Sequence, residues 1–270
     1  MVPSFNPLSG HPLNAGRIAW WLPVPGRTGG DRLRDLVGRF DATADGSAAW
    51  RAGGLSLDGS TVFRAPAAGL GDTSLGPATW GVRFTPDAAF VASIGTYPIL
   101  FARWTDTYTD YIWSQSLVAW PDGTVHADAP GAYNYHASWS PSAGVESMLV
   151  WTWDGARNGF CFYIDGDPQS VVEDAWATPA VSTAGAPYQI GGHPTTRKAS
   201  GLLSEAFVYS RALSPEEVAE LHRRSRAGYP GLLRRPASIL TPALYGAFPR
   251  RFAPVRSAFA PLGPTGRLIA

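Results

Sequence analysis

Cysteine is nearly absent. One residue, Cys161, stands among 270, so no internal disulfide can form. It sits in an alternating apolar stretch, where a thiol behaves as a small hydrophobe, and a buried, inert state is expected. Lysine is nearly absent too: Lys198 is the only one, and every other basic residue is arginine. No stretch approaches the ~18 apolar residues of a membrane span, so no membrane helix is expected. The start, Met1-Val-Pro-Ser-Phe-Asn-Pro-Leu-Ser-Gly10, lacks a basic region followed by an apolar one, and no signal peptide is expected. Hydrophobic residues make up 45% and charged residues 16%, which excludes a disordered chain.

Glycine (30), proline (24) and aromatic residues (12%) are plentiful, as many short strands and turns require. Sandwiches of about 200–250 residues commonly form one domain, so one core is expected. Strands are predicted over 17–24, 55–63, 78–84, 98–104, 111–120, 123–127, 146–153, 159–165 and 188–191, with short pieces at 33–40 and 48–51. In Thr79-Trp-Gly-Val-Arg-Phe84, Trp80, Val82 and Phe84 share one face and Thr79 and Arg83 the other, the pattern of a half-buried antiparallel strand. Trp20 and Trp21 face opposite sides. Pro121-Asp-Gly123 is a tight-turn signal, and residues 128–144 read as an aromatic loop or edge.

The stretch from Gly201 to Arg224 joins a strand, Leu203 to Tyr209, to a short helix with complete boundary signals. Ser214 is the N-cap, Pro215 the first helical residue, and Glu217 completes a Ser-x-x-Glu box. Glu216, Glu217 and Glu220 lie at the positive end of the helix dipole, and His222, Arg223, Arg224 and Arg226 at the negative end. Gly228 and Pro230 stop it. Val218 and Leu221 form so narrow a stripe that the helix should lie on a surface without building a core.

This strand, Tyr-Ser-Arg-Ala-Leu-Ser and glutamate-bearing helix resemble the closing segment of the laminin-G-like, concanavalin A-like jelly-roll family. Ile18-Ala-Trp-Trp-Leu22 is similar to its opening strand, and Gly54-Leu-Ser-Leu-Asp-Gly-Ser60 to its second signature. Met148-Leu-Val-Trp-Thr-Trp-Asp-Gly155 with Phe160-Cys-Phe-Tyr-Ile-Asp-Gly166 is similar to its central hairpin. The resemblance covers residues 16–226 and implies an all-β, two-sheet antiparallel jelly-roll sandwich with a short C-terminal helix.

Four chemistries are conceivable on this frame. Glucanases share the fold, but their closely spaced Glu-x-Asp-x-Glu strand pattern is missing. Glu146, Glu173 and Glu205 stand isolated, so no paired carboxylates and no enzyme are expected. Some relatives bind calcium in rim loops, and Asp106 and Asp110, with Thr107, could offer hard oxygen ligands. Turn-capping aspartates are the alternative, and no other cofactor is expected. Trp104, Tyr108, Tyr111, Tyr133, Tyr135 and His136 crowd two neighbouring regions beside Asp and Asn, as a glycan surface would. Alternate aromatics there, such as Trp113 and Trp139, can instead be sandwich core.

From Tyr229 the character changes. Seven prolines forbid a regular helix or central strand. Six arginines without one acidic residue make this tail formally +6, against +1 for the whole chain, leaving the body at −5. Arg234, Arg235, Arg250 and Arg251 are interleaved with Tyr245, Phe248 and Phe252, which suits an extended assembly arm. Spread charge and a net-negative body argue against nucleic acid. The expected organisation is an N-terminal lead-in (1–15), the jelly roll (16–228) and the arm (229–270). Modules of this family recur on bacteriophage particles. The expected role is therefore a non-catalytic structural or decoration protein of a virion, on capsid or tail. It would assemble in the host cytoplasm with copies of itself and other virion proteins through the arm, and display a surface for polysaccharide. A free carbohydrate-binding module or adhesin is the alternative.

Overall fold

A computed structural model describes residues 11–23, 31–37, 40–46, 48–51, 54–66, 76–104, 113–129, 133–174, 186–193 and 197–226. The proposed arm, the calcium candidates Asp106 and Asp110, and Tyr108 and Tyr111 lie outside these residues.

A short 3-10 helix, Pro12–Asn14, precedes strands β1 (Arg17–Trp21), β2 (Arg32–Leu33), β3 (Ala42–Asp45), β4 (Ala49–Arg51), β5 (Gly54–Asp58), β6 (Val62–Ala65) and β7 (Ala78–Pro86). Helix α1 (Ala88–Ser93) leads to β8 (Ile99–Trp104), β9 (Trp113–Ala119), β10 (Thr124–Ala129), β11 (Tyr133–Ser138), β12 (Ser147–Trp153) and β13 (Phe160–Ile164). Strands β14 (Asp167–Gln169), β15 (Val171–Glu173), β16 (Tyr188–Ile190) and β17 (Ser200–Tyr209) follow, and α2 (Pro215–Arg226) closes the fold. The stretch read as an aromatic loop or edge contains a strand, β11, second from the sheet edge. The strand expected over 55–63 is two, because the Gly59-Ser60 turn sends β5 and β6 to different sheets.

The strands form two antiparallel sheets. One runs β14-β13-β12-β7-β17-β5-β4, with β1 beside the second half of β17. The other runs β15-β11-β10-β9-β8-β16-β6-β3-β2. The all-β sandwich expected from the sequence is borne out. Its core follows strand alternation. Trp80, Val82 and Phe84 on β7, Leu149 and Trp151 on β12, Phe162 on β13 and Val208 on β17 point inward to meet Phe101, Leu117, Val125, Tyr188 and Ile190 of the facing sheet.

The outer face of the first sheet corrects one expectation. Trp20, Met148, Val150, Tyr163, Phe207 and Tyr209 stand on it, and Val218 and Leu221 of α2 close over them, all fully or almost fully buried. Two helical side chains suffice to build a second core because the sheet supplies the rest. This cover also buries Thr79 and Arg83, where a half-exposed strand face was expected. Trp20 and Trp21 do divide between the two sides, Trp21 in the main core and Trp20 in the second.

The helix start is as anticipated. The Ser214 amide donates to Glu217 Oε2 at 3.0 Å, and the Glu217 amide to Ser214 Oγ at 3.3 Å. Arg211 adds a fork onto the same carboxylate at 2.6 and 2.7 Å. That partner lies outside the capping box and was not anticipated. Cys161 is exposed, contrary to expectation. Alternation along β13 turns Phe160 and Phe162 inward, and thereby Cys161 outward.

Candidate functional site

The outer face of the second sheet carries a row of rings that runs from the start of β8 and the end of β9 across β10 and β11. The row begins with the hairpin between β9 and β10. Its turn, Pro121-Asp122-Gly123, closes through the Gly123 amide on the Trp120 carbonyl at 3.2 Å, and Gly123 takes φ 79°, where a side chain would be strained. Asp122 Oδ1 accepts from the Thr124 amide at 3.1 Å and from the Thr124 hydroxyl at 2.5 Å. Thr124 Oγ1 in turn lies 2.9 Å from His126 Nε2.

Register then places His126 of β10 directly opposite His136 of β11. Inward residues Val125, Ala127, Tyr135 and Ala137 join the core, so the two histidines take the other face. His126 stacks on Trp120 with ring centres 4.1 Å apart and on His136 at 5.2 Å, and Tyr97 meets the edge of Trp120 at 4.8 Å. Beyond β11, β15 brings up Asp174, whose amide donates to the Asn134 carbonyl at 2.8 Å. Asp174 Oδ1 lies 2.6 Å from His136 Nδ1, and Oδ2 lies 3.2 Å from His126 Nδ1. Asn134 Oδ1 is 3.4 Å from the same His126 nitrogen. His126 is buried, and that desolvation holds its pKa below the ordinary 6.5 against the opposing pull of the Asp174 carboxylate. The pair His136 and Asp174 is half-buried.

The carboxylates on the opposite sheet are arranged differently. Glu205, 1% exposed, accepts from Trp20 Nε1 at 2.8 Å and from the Ser225 hydroxyl at 2.9 Å. Arg83 stands between Glu205 and Glu146, with Nη1 3.0 Å from Glu146 Oε1 and Nε 3.9 Å from Glu205 Oε2. Its Nε donates to the Ser225 hydroxyl at 2.7 Å, so this serine bridges the arginine and the buried carboxylate. Glu146 and Glu205 are therefore not isolated, as the sequence suggested. They share one arginine beneath α2, and both oxygens of Glu205 are engaged. Glu173 pairs with Arg157 at 2.8 Å on the surface.

Residues 91–219 match the family model described as the concanavalin A-like lectin/glucanases superfamily. The laminin-G-like, concanavalin A-like resemblance is thus borne out. No curated protein sequence matches the chain. Among solved structures, a sialidase from Trypanosoma rangeli superposes with a TM-score of 0.55 at 17% identity, covering 78% of this chain. The chain spans 33% of the length of that sialidase. Domain 4 of a GH43 extracellular arabinanase from Geobacillus stearothermophilus, solved in complex with arabinotriose, gives 0.51 at 19% identity, with 70% of this chain and 91% of that one covered. The receptor binding domain of a botulinum neurotoxin C/D mosaic serotype gives 0.56 at 11%, covering 78% and 51%. At these identities the likeness is one of fold.

Within this lectin-like fold the residues expected to hold a glycan divide. His136 lies in the ring row. Tyr135, its neighbour, points the other way: it is 4% exposed, stacks on Phe160 at 4.3 Å and donates its hydroxyl to the Arg157 carbonyl. It is a core residue because strand alternation separates it from His136. Trp139 is core as well, against Phe90. Trp104 and Tyr133 end β8 and begin β11, so the backbone places them on this same sheet. Tyr97, Trp120, His126, Asn134 and Asp174 were not singled out from the sequence. The Pro-Asp-Gly turn was the one local signal near them.

Proposed function

We propose that this domain is a non-catalytic glycan-binding module, and that it engages sugar on the outer face of its second sheet. The observation that carries the reading is the continuous row of Tyr97, Trp120, His126 and His136 beside the hydroxyl of Thr124, the amide of Asn134 and the carboxylate of Asp174. Ring edges and polar groups side by side suit a ligand that offers both C–H faces and hydroxyls. The fold likeness to an arabinanase domain that holds arabinotriose supports the same reading. The buried, doubly engaged state of Glu205 supports the absence of a hydrolytic carboxylate pair.

Affinity electrophoresis against arabinan, β-glucan and bacterial surface polysaccharides tests the proposal. At least one polymer should retard the protein, and Trp120→Ala and Asn134→Ala should each weaken retardation about tenfold or more with the circular dichroism unchanged. Absence of binding across the panel, or full binding by both folded variants, overturns it. Display on a virion through residues 229–270 is proposed as the setting. It rests on the family resemblance and on the proline- and arginine-rich character of that segment.

A further inference from the structure

The hydrogen bonds around His126 leave lone pairs facing one another. The Thr124 hydroxyl has one proton, and the Asp122 carboxylate, which can only accept, takes it at 2.5 Å. Thr124 Oγ1 must then accept from His126 Nε2–H at 2.9 Å. In the neutral imidazole that leaves Nδ1 without a proton, with the side-chain oxygen of Asn134 3.4 Å from it. Nδ1 looks at Asp174 Oδ2, 3.2 Å away, and this oxygen is itself buried without a hydrogen-bond partner. His136 Nδ1 completes the group, 2.6 Å from the other Asp174 oxygen. One ligand atom from each of the three residues falls within 4.8 Å of the others.

From this geometry we infer that His126, His136 and Asp174 form a binding site for a divalent transition-metal ion of the zinc type. Two imidazole nitrogens and one carboxylate are the donor set such ions prefer, and calcium does not. Tetrahedral zinc, with bonds of about 2.0–2.2 Å, sets its ligand atoms roughly 3.3–3.5 Å apart. The His126–Asp174 separation of 3.2 Å already fits. His136 Nδ1 lies 2.6 Å from the other carboxylate oxygen, so the carboxylate turns to present one oxygen to the ion, and the donor atoms, within 4.8 Å of one another, draw together around it. The outer shell is also in place, because a metal-bound histidine characteristically donates its second ring nitrogen to an oriented acceptor. Here Thr124, itself fixed by Asp122, is that acceptor. Three protein ligands leave a fourth position for water or a ligand oxygen. All three ligands also belong to the proposed glycan face, so the site rests on the same surface but is tested without any glycan.

The experiment uses untagged full-length protein stripped with a chelator and titrated with Zn²⁺ against a chromophoric competitor, with Co²⁺ absorption as a geometric readout. One ion should bind per chain, Co²⁺ should give visible bands of a four-coordinate site, and Ca²⁺ should not compete. Asp174→Asn and His136→Ala, each checked for native circular dichroism, should weaken Zn²⁺ binding about 10- to 100-fold. If a variant fails to fold, the imidazole resonances of the wild type decide. Zn²⁺ must shift both His126 and His136 at one equivalent. No saturable binding, equal binding by the folded variants, or unshifted His126 and His136 resonances overturns the inference and leaves a proton between His126 and Asp174.

Discussion

Glu205→Ala should be among the costliest substitutions available in this domain. The carboxylate is 1% exposed and Arg83 beside it 5%, so neither group can fall back on water. Removing Glu205 takes the acceptor from Trp20 Nε1 and from the Ser225 hydroxyl, and leaves Glu146 as the remaining carboxylate beside the Arg83 guanidinium. Stripping one partner from a buried ion pair costs about 3–5 kcal/mol. Glu146 still neutralises part of the arginine, so the low end, about 3 kcal/mol, is expected. At roughly 2–4 °C per kcal/mol for a domain of this size, the melting midpoint should fall by about 6–12 °C. Urea unfolding followed by tryptophan fluorescence measures it directly. Replacing both charges, as in Arg83→Met with Glu205→Leu, should cost far less than Glu205→Ala, since the uncompensated charge is gone. A Glu205→Ala protein within about 1 kcal/mol of wild type, or a double variant that simply sums its two single costs to within about 0.5 kcal/mol, would refute the argument.

Three further outcomes are expected. Glu217→Gln should destabilise the domain by about 1 kcal/mol at neutral pH, since Arg211 loses its charged partner and one arm of its fork while the glutamine oxygen can still accept from the Ser214 amide. Arg211 holds the Glu217 pKa below its ordinary 4.5, so this stability is present above pH 4.5 and is lost as the pH falls through the lowered value. Urea midpoints of variant and wild type should therefore converge in acid, and a gap that persists unchanged at pH 2 speaks against the assignment. Cys161 should react with a thiol reagent in the native protein, one equivalent per chain; reaction only after unfolding would show it buried. Removal of residues 229–270 should leave a soluble, folded domain and abolish any self-association seen by light scattering, and unchanged assembly would dispose of the arm's proposed role.

Sequence alone determined what local chemistry determines. The helix at Pro215–Arg226 was legible because its cap, its first-turn acids and its stop residues lie within a few positions of one another. The Pro121-Asp122-Gly123 turn and the inward alternation of Trp80, Val82 and Phe84 were legible for the same reason. Tertiary structure decided what depends on partners far along the chain. Val218 and Leu221 build a second core only because Trp20, Met148 and Phe207 converge on the sheet beneath them. Glu205 meets Arg83 and Ser225 through strand pairing and helix docking, across intervals that carry no pattern. The site depends most heavily on register. His126 and His136 face each other because β10 and β11 pair as they do; a slip of one residue would turn one of them into the core beside Tyr135. Asp174 arrives from a strand added at the sheet edge, where backbone pairing alone brings it to the two histidines.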